Sequence, residues 1–134
     1  MKALLMVIVI ALSPLLTFSQ DVRDSSGRLQ GRWSGDDFRD SSGRLMYRMD
    51  NNGTVRDNAG RLMLRVSSGD VRDSSGRLLG RIRDNGDIRD SSGRLLGRIN
   101  DDGDVRDASG RLMGRARGSE RGKAAVTYFF WEML

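Results

Sequence analysis

Apolar positions return through residues 20–118 at a fixed interval. Each unit opens on one apolar residue: Val22, Phe38, Val55, Val71, Ile88 or Val105. A Leu follows in every unit, at Leu29, Leu45, Leu62, Leu78, Leu95 and Leu112. A further apolar residue stands after it, at Trp33, Met49, Val66, Ile82, Ile99 and Ala116. Between the first two runs the phrase R-D-x-x-G-R-L, present in six copies, and its leading Arg recurs every 16 or 17 residues. That period is too short for two helices and fits two short strands with two turns. The pattern predicts strands near Asp21–Asp24 and Arg28–Trp33 and their equivalents in every copy. The expected fold is all-β: a closed or radial repeat of short β-hairpins.

Two kinds of turn punctuate the repeat. The first reads Asp-Ser-Ser-Gly or a close variant such as Asp57-Asn58-Ala59-Gly60, where the Asp can bond nearby N–H groups and Gly accepts a positive φ. The second varies from Ser67-Ser68-Gly69-Asp70 to Arg83-Asp84-Asn85-Gly86-Asp87. A Gly bulge absorbs the extra residue, so Val66 should face Val71 and Ile82 should face Ile88. Parity then suggests an even first loop, with Val71, Leu78, Gly80 and Ile82 on one face. Three Arg per repeat would occupy the other face around Gln30, Met46, Met63, Leu79, Leu96 or Met113. After Pro14 no proline interrupts a hydrogen-bonded ladder.

The two ends of the chain break the rule. Residues 1–19 carry Lys2, an apolar run from Ala3 to Leu12, a break at Ser13-Pro14 and small residues before Gln20. This reads as a cleaved signal peptide, because even Ala3 to Phe18 falls short of the ~20 residues that span a bilayer. The mature chain is then exported, to a periplasm, cell surface or medium, and has no spanning segment. From Ser119 the repeat stops, and Ala124–Leu134 holds Tyr128, Phe129, Phe130 and Trp131. Repeat arrays need capping, so residues 119–134 are expected to close the array, with Ala124–Phe130 as a strand packed on repeat Leu and Val side chains.

Composition narrows the chemistry. With no Cys and no His among 134 residues, disulfides, Cys/His zinc sites, Cys nucleophiles and Ser-His-Asp triads are all excluded. The Asp-rich second turns do not follow EF-hand order: aligning Gly53 or Gly86 with the loop glycine puts Arg48 or Arg81 at the first ligand position. No metal, cofactor or catalytic residue is expected, since a constellation repeated six times lacks the uniqueness a reaction centre needs. The formal net charge of +5 leaves one candidate, the arginines. Arg28, Arg44, Arg61, Arg77, Arg94 and Arg111, within a face holding 18 of the 21 Arg, are the candidate anion-binding residues. An internal Arg–Asp ladder is the competing account, with 16 Asp on or near the turns.

The leader, the short Gly-rich units of the type G-D-V-R-D-S-S-G-R-L-L-G-R-I and the Ala-Ala-Val-Thr-Tyr-Phe-Phe ending together resemble the 5-fold β-flower proteins of Bacteroidetes. The D-x-x-G-R-L grammar is also similar, less closely, to YD repeats. The β-flower resemblance implies an exported all-β protein with hairpin petals around an axis and no assigned activity; this chain carries six copies of the phrase. Two functions follow as expectations. One is a structural or interaction protein, partnered by another exported protein. The other is a binding module for an anionic polymer, whether an acidic glycan, lipopolysaccharide or nucleic acid.

Overall fold

A computed structural model describes residues 20–134, and the expected leader lies outside the described residues. Twelve strands follow one another around a closed antiparallel barrel. They are β1 (Gln20–Asp24), β2 (Leu29–Ser34), β3 (Asp37–Asp40), β4 (Leu45–Met49), β5 (Thr54–Asp57) and β6 (Leu62–Ser67), then β7 (Asp70–Asp73), β8 (Leu78–Ile82), β9 (Asp87–Asp90), β10 (Leu95–Ile99), β11 (Asp104–Asp107) and β12 (Leu112–Arg115). Successive pairs make six hairpins, one per phrase, and β12 closes the ring on β1 through Arg23↔Arg115 and Asp24↔Gly114. No helix interrupts residues 21–116, as the repeat predicts.

Second turns keep the expected register. Val66 faces Val71, Ile82 faces Ile88, and Trp33, Met49 and Ile99 face Phe38, Val55 and Val105. The shorter version turns at one site through Ser68 and Gly69, both at positive φ as the I′ kind demands, and at the other through Gly35-Asp36, where Gly35 alone is at positive φ as in the II′ kind. The longer version adds a Gly bulge: Gly86 N–H donates to Arg83 O at 3.0 Å while Arg83 N–H donates to Asp87 O at 2.9 Å.

First turns depart from the parity argument. Gly76 N–H donates to Asp73 O and Asp73 N–H to Arg77 O, which leaves an odd three-residue loop, Ser74-Ser75-Gly76. Leu78 therefore stands opposite Arg72, and Val71 stands opposite Gly80. Leu79 is the extra residue of a second bulge, which restores the inward phase at Gly80. The same shift recurs in all six hairpins. The six repeat Leu thus share the Arg side of the wall and stay half-buried, contrary to the expectation that they join the Val and Ile core. The residues after them turn back instead: Met46, Met63, Leu79, Leu96 and Met113 pack against the core, while Gln30 stays exposed. Two odd steps cancel, so the expected face holds for Val71, Gly80 and Ile82 and is reversed for Leu78 and Leu79 between them.

The tail is a helix, not the expected strand. It runs as α1 (Arg121–Ala125), a π-helical turn (Val126–Phe130) and a 3₁₀ turn (Trp131–Met133). It enters between the second turns, where Arg121 donates to Asp84 O and Asp101, and Lys123 Nζ donates to Gly35 O at 2.7 Å. The reason for helix over strand is hydrogen bonding. A closed barrel has no free edge, so a strand inside it would leave its N–H and C=O groups orphaned, whereas a helix satisfies its own. The closing role stands: Ala124, Ala125, Val126, Phe129 and Phe130 join Val22, Trp33, Tyr47, Val55, Leu64, Val71, Ile88 and Val105 in one core.

Glycines make the wall fit this plug. A Cβ on Gly80 would meet Phe130 at 2.7 Å, one on Gly97 would meet Phe129 at 2.7 Å, and one on Gly114 would meet the Tyr128 hydroxyl at 2.7 Å. Three consecutive plug residues thus seat on hairpins six, five and four in turn. Six hairpins divide the circle at about 60° each, whereas an α-helix steps about 100° per residue, so the wider π turn brings plug and wall closer to register. Where the wall carries Tyr47 and Leu64 instead of glycine, those side chains fill the lumen themselves, and Phe38 covers Gly31.

Candidate anion-binding face

At every junction between neighbouring hairpins two arginines stand directly opposite each other. The pairs are Arg32↔Arg39, Arg48↔Arg56, Arg65↔Arg72, Arg81↔Arg89, Arg98↔Arg106 and Arg23↔Arg115. Like charges facing across a ladder repel, so this wall needs counter-charges. An Asp at the start of each odd-numbered strand supplies them in five hairpins. Asp21 bridges Arg23 and Arg32, each at 2.9 Å. Asp37 bridges Arg39 and Arg48, Asp70 bridges Arg72 and Arg81, Asp87 bridges Arg89 and Arg98, and Asp104 bridges Arg106 and Arg115. One Oδ takes an Nη2 from its own strand and the other takes an Nε from the partner strand. In the third hairpin the position belongs to Thr54, and among the described residues neither Arg56 nor Arg65 has a carboxylate partner.

The arginines singled out from the sequence lie elsewhere on this wall, at the rim of first turns. Arg28, Arg44, Arg61, Arg94 and Arg111 reach the Asp four residues earlier, over 2.9 to 3.9 Å, with side chains at least 75% exposed. Arg77 occupies the sixth place. The structure therefore sorts the 18 repeat arginines into an exposed rim ring and a more regular waist of facing pairs. The waist pairing follows from the second-turn register, since Val66↔Val71 sets Arg65 opposite Arg72 and Ile82↔Ile88 sets Arg81 opposite Arg89. What depends on the bulge after each Leu is the fork, because it brings Asp21 opposite Arg32 and its equivalents likewise.

Each turn Asp has its own satisfied cage. Asp107 Oδ1 accepts from Ser109 Oγ at 2.7 Å and from the N–H groups of Ser109 and Arg111. The Ser109 hydroxyl and the Arg111 N–H hold its carboxyl down at about 2. Asp24, Asp40, Asp73 and Asp90 are lowered in the same way, first by their Ser hydroxyls, and Asp57, which faces Ala59, by the Arg61 N–H. These carboxylates are committed to turn structure. Among the described residues no group of three His, Cys, Asp or Glu side chains converges as a metal site, and no helix is long and apolar enough to cross a membrane.

Asp87 apart, the buried polar contacts cluster at the plug. Thr127 Oγ1 accepts from Trp33 Nε1 at 3.2 Å and from the Tyr47 hydroxyl at 3.0 Å, and donates to Lys123 O at 3.0 Å. Burial pushes the Tyr47 phenol far above its ordinary value, so it remains a donor. Lys123 stands 5.2 Å over the Trp33 ring, and Trp131 stacks on Tyr47 at 4.2 Å. The Tyr128 hydroxyl meets Arg23 O at 2.6 Å and Arg115 O at 3.1 Å, latching the seam where β1 meets β12, and burial pushes it up to about 12.

A closed ring of short hairpins around an aromatic plug, with repeated chemistry only on its outer wall, defines a petal-repeat barrel. The chain belongs to the 5-fold beta-flower protein family, whose model matches residues 19–132. The ring of this member holds six hairpins. No curated protein and no solved structure matches it.

Proposed function

We propose that this chain is an exported, non-catalytic protein with a structural or interaction role, and that the hairpin ring itself is what it contributes. The filled lumen carries this reading. Phe129, Phe130 and Tyr128 occupy the glycine side, and Tyr47, Trp33 and Leu64 occupy the other, so the functional groups left to solvent are those repeated around the outside. Enzymes place a unique set of groups in a concave site. Recovery of the native chain tests the reading. Mass spectrometry of envelope and medium fractions should find a chain beginning at Gln20, and an intact leader confined to the cytosol contradicts it.

A second reading treats the outer wall as a binding surface for an anionic polymer. It is favoured by the facing arginine pairs, since in five hairpins the strands and first turn set three Arg against two Asp, as in Asp21, Arg23, Asp24, Arg28 and Arg32, and in the third they set three against Asp57 alone. Arginine forks suit carboxylates and phosphates. Retention on immobilised polygalacturonate, dextran sulfate or duplex DNA should fall steeply with added salt, because exposed charges are screened. Absence of retention at low salt on all three supports rules this reading out.

A further inference from the structure

We propose that Arg56 and Arg65, beside Thr54 on the third hairpin, form a carboxylate-binding site, the one place on the wall where a ligand takes the part of a missing Asp. The proposal rests on the anionic-polymer reading and names where such a polymer is held. In five hairpins the wall carries its own template for the site. At Asp21 one oxygen meets Arg23 Nη2 and the other meets Arg32 Nε, both at 2.9 Å. At Asp87 the same two contacts run 3.3 and 2.7 Å. A planar group with two oxygens fits this fork, and Arg56 and Arg65 occupy the matching positions, paired through Thr54↔Arg65 on the same register.

Local charge strengthens the case. Arg48 faces Arg56 and Arg65 faces Arg72, so four arginines follow one another across β4, β5, β6 and β7. Only the outer two meet carboxylates, Arg48 at Asp37 and Arg72 at Asp70. Four adjacent strands span about 15 Å, so this is a short cationic stripe and not a single point. Arg56 still donates Nη1 to Gly60 O at 3.1 Å, the contact its sister arginines make, which holds the side chain along the wall with Nη2 free. Thr54 is only half-buried, and both arginines are exposed, so a carboxylate can approach from solvent. The ligand is therefore a polymer bearing carboxylates, an acidic glycan of the uronate class, with its remaining charges on the neighbouring arginines.

Replacing Thr54 by Asp fills the site from within and tests this directly. On immobilised polygalacturonate at low salt the wild-type chain should be retained, Thr54→Asp should bind about tenfold more weakly, and Thr54→Val should bind as wild type. Dextran sulfate, which lacks the planar carboxylate, should show a smaller Thr54→Asp effect than polygalacturonate. In parallel, digalacturonate added to the 15N-labelled protein should move the Nε–H signals of Arg56 and Arg65 ahead of those of Arg32, Arg81 and Arg98. Equal retention of wild type and Thr54→Asp overturns the site while leaving a general anionic wall. Selective shifts at Arg56 and Arg65 without polymer retention uphold the site and refute the polymer reading. No retention and no shifts refute both.

Discussion

The two sides of the barrel solve the same packing problem in opposite ways. Hairpins one to three fill the lumen with their own side chains: Trp33, Phe38, Tyr47, Met49 and Leu64 are all buried, and the first three rings lie 4.9 to 5.6 Å apart. Hairpins four to six carry Gly80, Gly97 and Gly114 at the equivalent positions and borrow Phe130, Phe129 and Tyr128 from the plug. One side is self-sufficient, and the other is complete only with the tail in place. The repeat therefore looks uniform from outside and is divided inside. Glycine within a strand marks a close approach by another group, and here two groups approach: a carbonyl oxygen of the neighbouring hairpin (Arg89, Arg106 or Arg23) and a ring from the end of the same chain.

Removing the plug should separate the two sides most strongly. Deletion of residues 124–134 should yield an aggregating product that binds ANS, with amide exchange fastest in hairpins four to six. A monomer of unchanged thermal stability would end the closure account. Single truncations come next. Phe130→Ala should cost about 3–5 kcal/mol, because it empties a fully buried ring site against Gly80. Leu64→Ala, on the self-sufficient side, should cost about 2–4 kcal/mol, and denaturant melts of the pair rank the two sides. Leu78→Ala should cost only about 1 kcal/mol, since that Leu is half-buried on the outer wall.

The smallest difference between sides should appear under acid. Six first turns hold their Asp below the ordinary value of 3.8, Asp107 at about 2, and these turns are distributed evenly around the ring. A folded-state pKa below the unfolded value gives stability that is present above the unfolded value and lost as pH falls through the folded one. Melting temperature should thus hold down to about pH 4 and decline toward pH 2. Asp107→Asn, which removes the most strongly lowered carboxyl of the six, should flatten that decline somewhat more than Asp40→Asn does on the other side.

Much of this architecture is legible in the chain, and the failures have physical causes. The 16 or 17-residue period, both turn types and the pairing across each second turn follow from the positions of Gly, Asp and the apolar residues. Leu78 misleads because its loop is odd and a second bulge at Leu79 corrects the phase, a cancellation that no count of intervening residues can reveal. Ala124–Phe130 misleads because it has no polar face, so alternation and helical periodicity cannot be told apart. The missed signal was the glycines within strands: vacancies on the inner wall call for bulky groups from elsewhere, and the aromatic tail holds them. For the anion-binding face, Arg abundance, the facing pairs across second turns and Thr54 in the place of an Asp are all legible in the aligned repeats. The fork that joins each Asp to an Arg of the partner strand emerges only once the first-turn bulge is known.

The seating of plug rings on wall glycines is open to one direct measurement. In a 1H–13C spectrum the Hα signals of Gly80 and Gly97 should lie well upfield of ordinary strand glycines, under the ring currents of Phe130 and Phe129. Phe130→Leu should return the Gly80 signals to the ordinary range while leaving those of Gly97 displaced. Glycine signals at ordinary positions in the wild-type protein, unmoved by Phe130→Leu, would contradict the account.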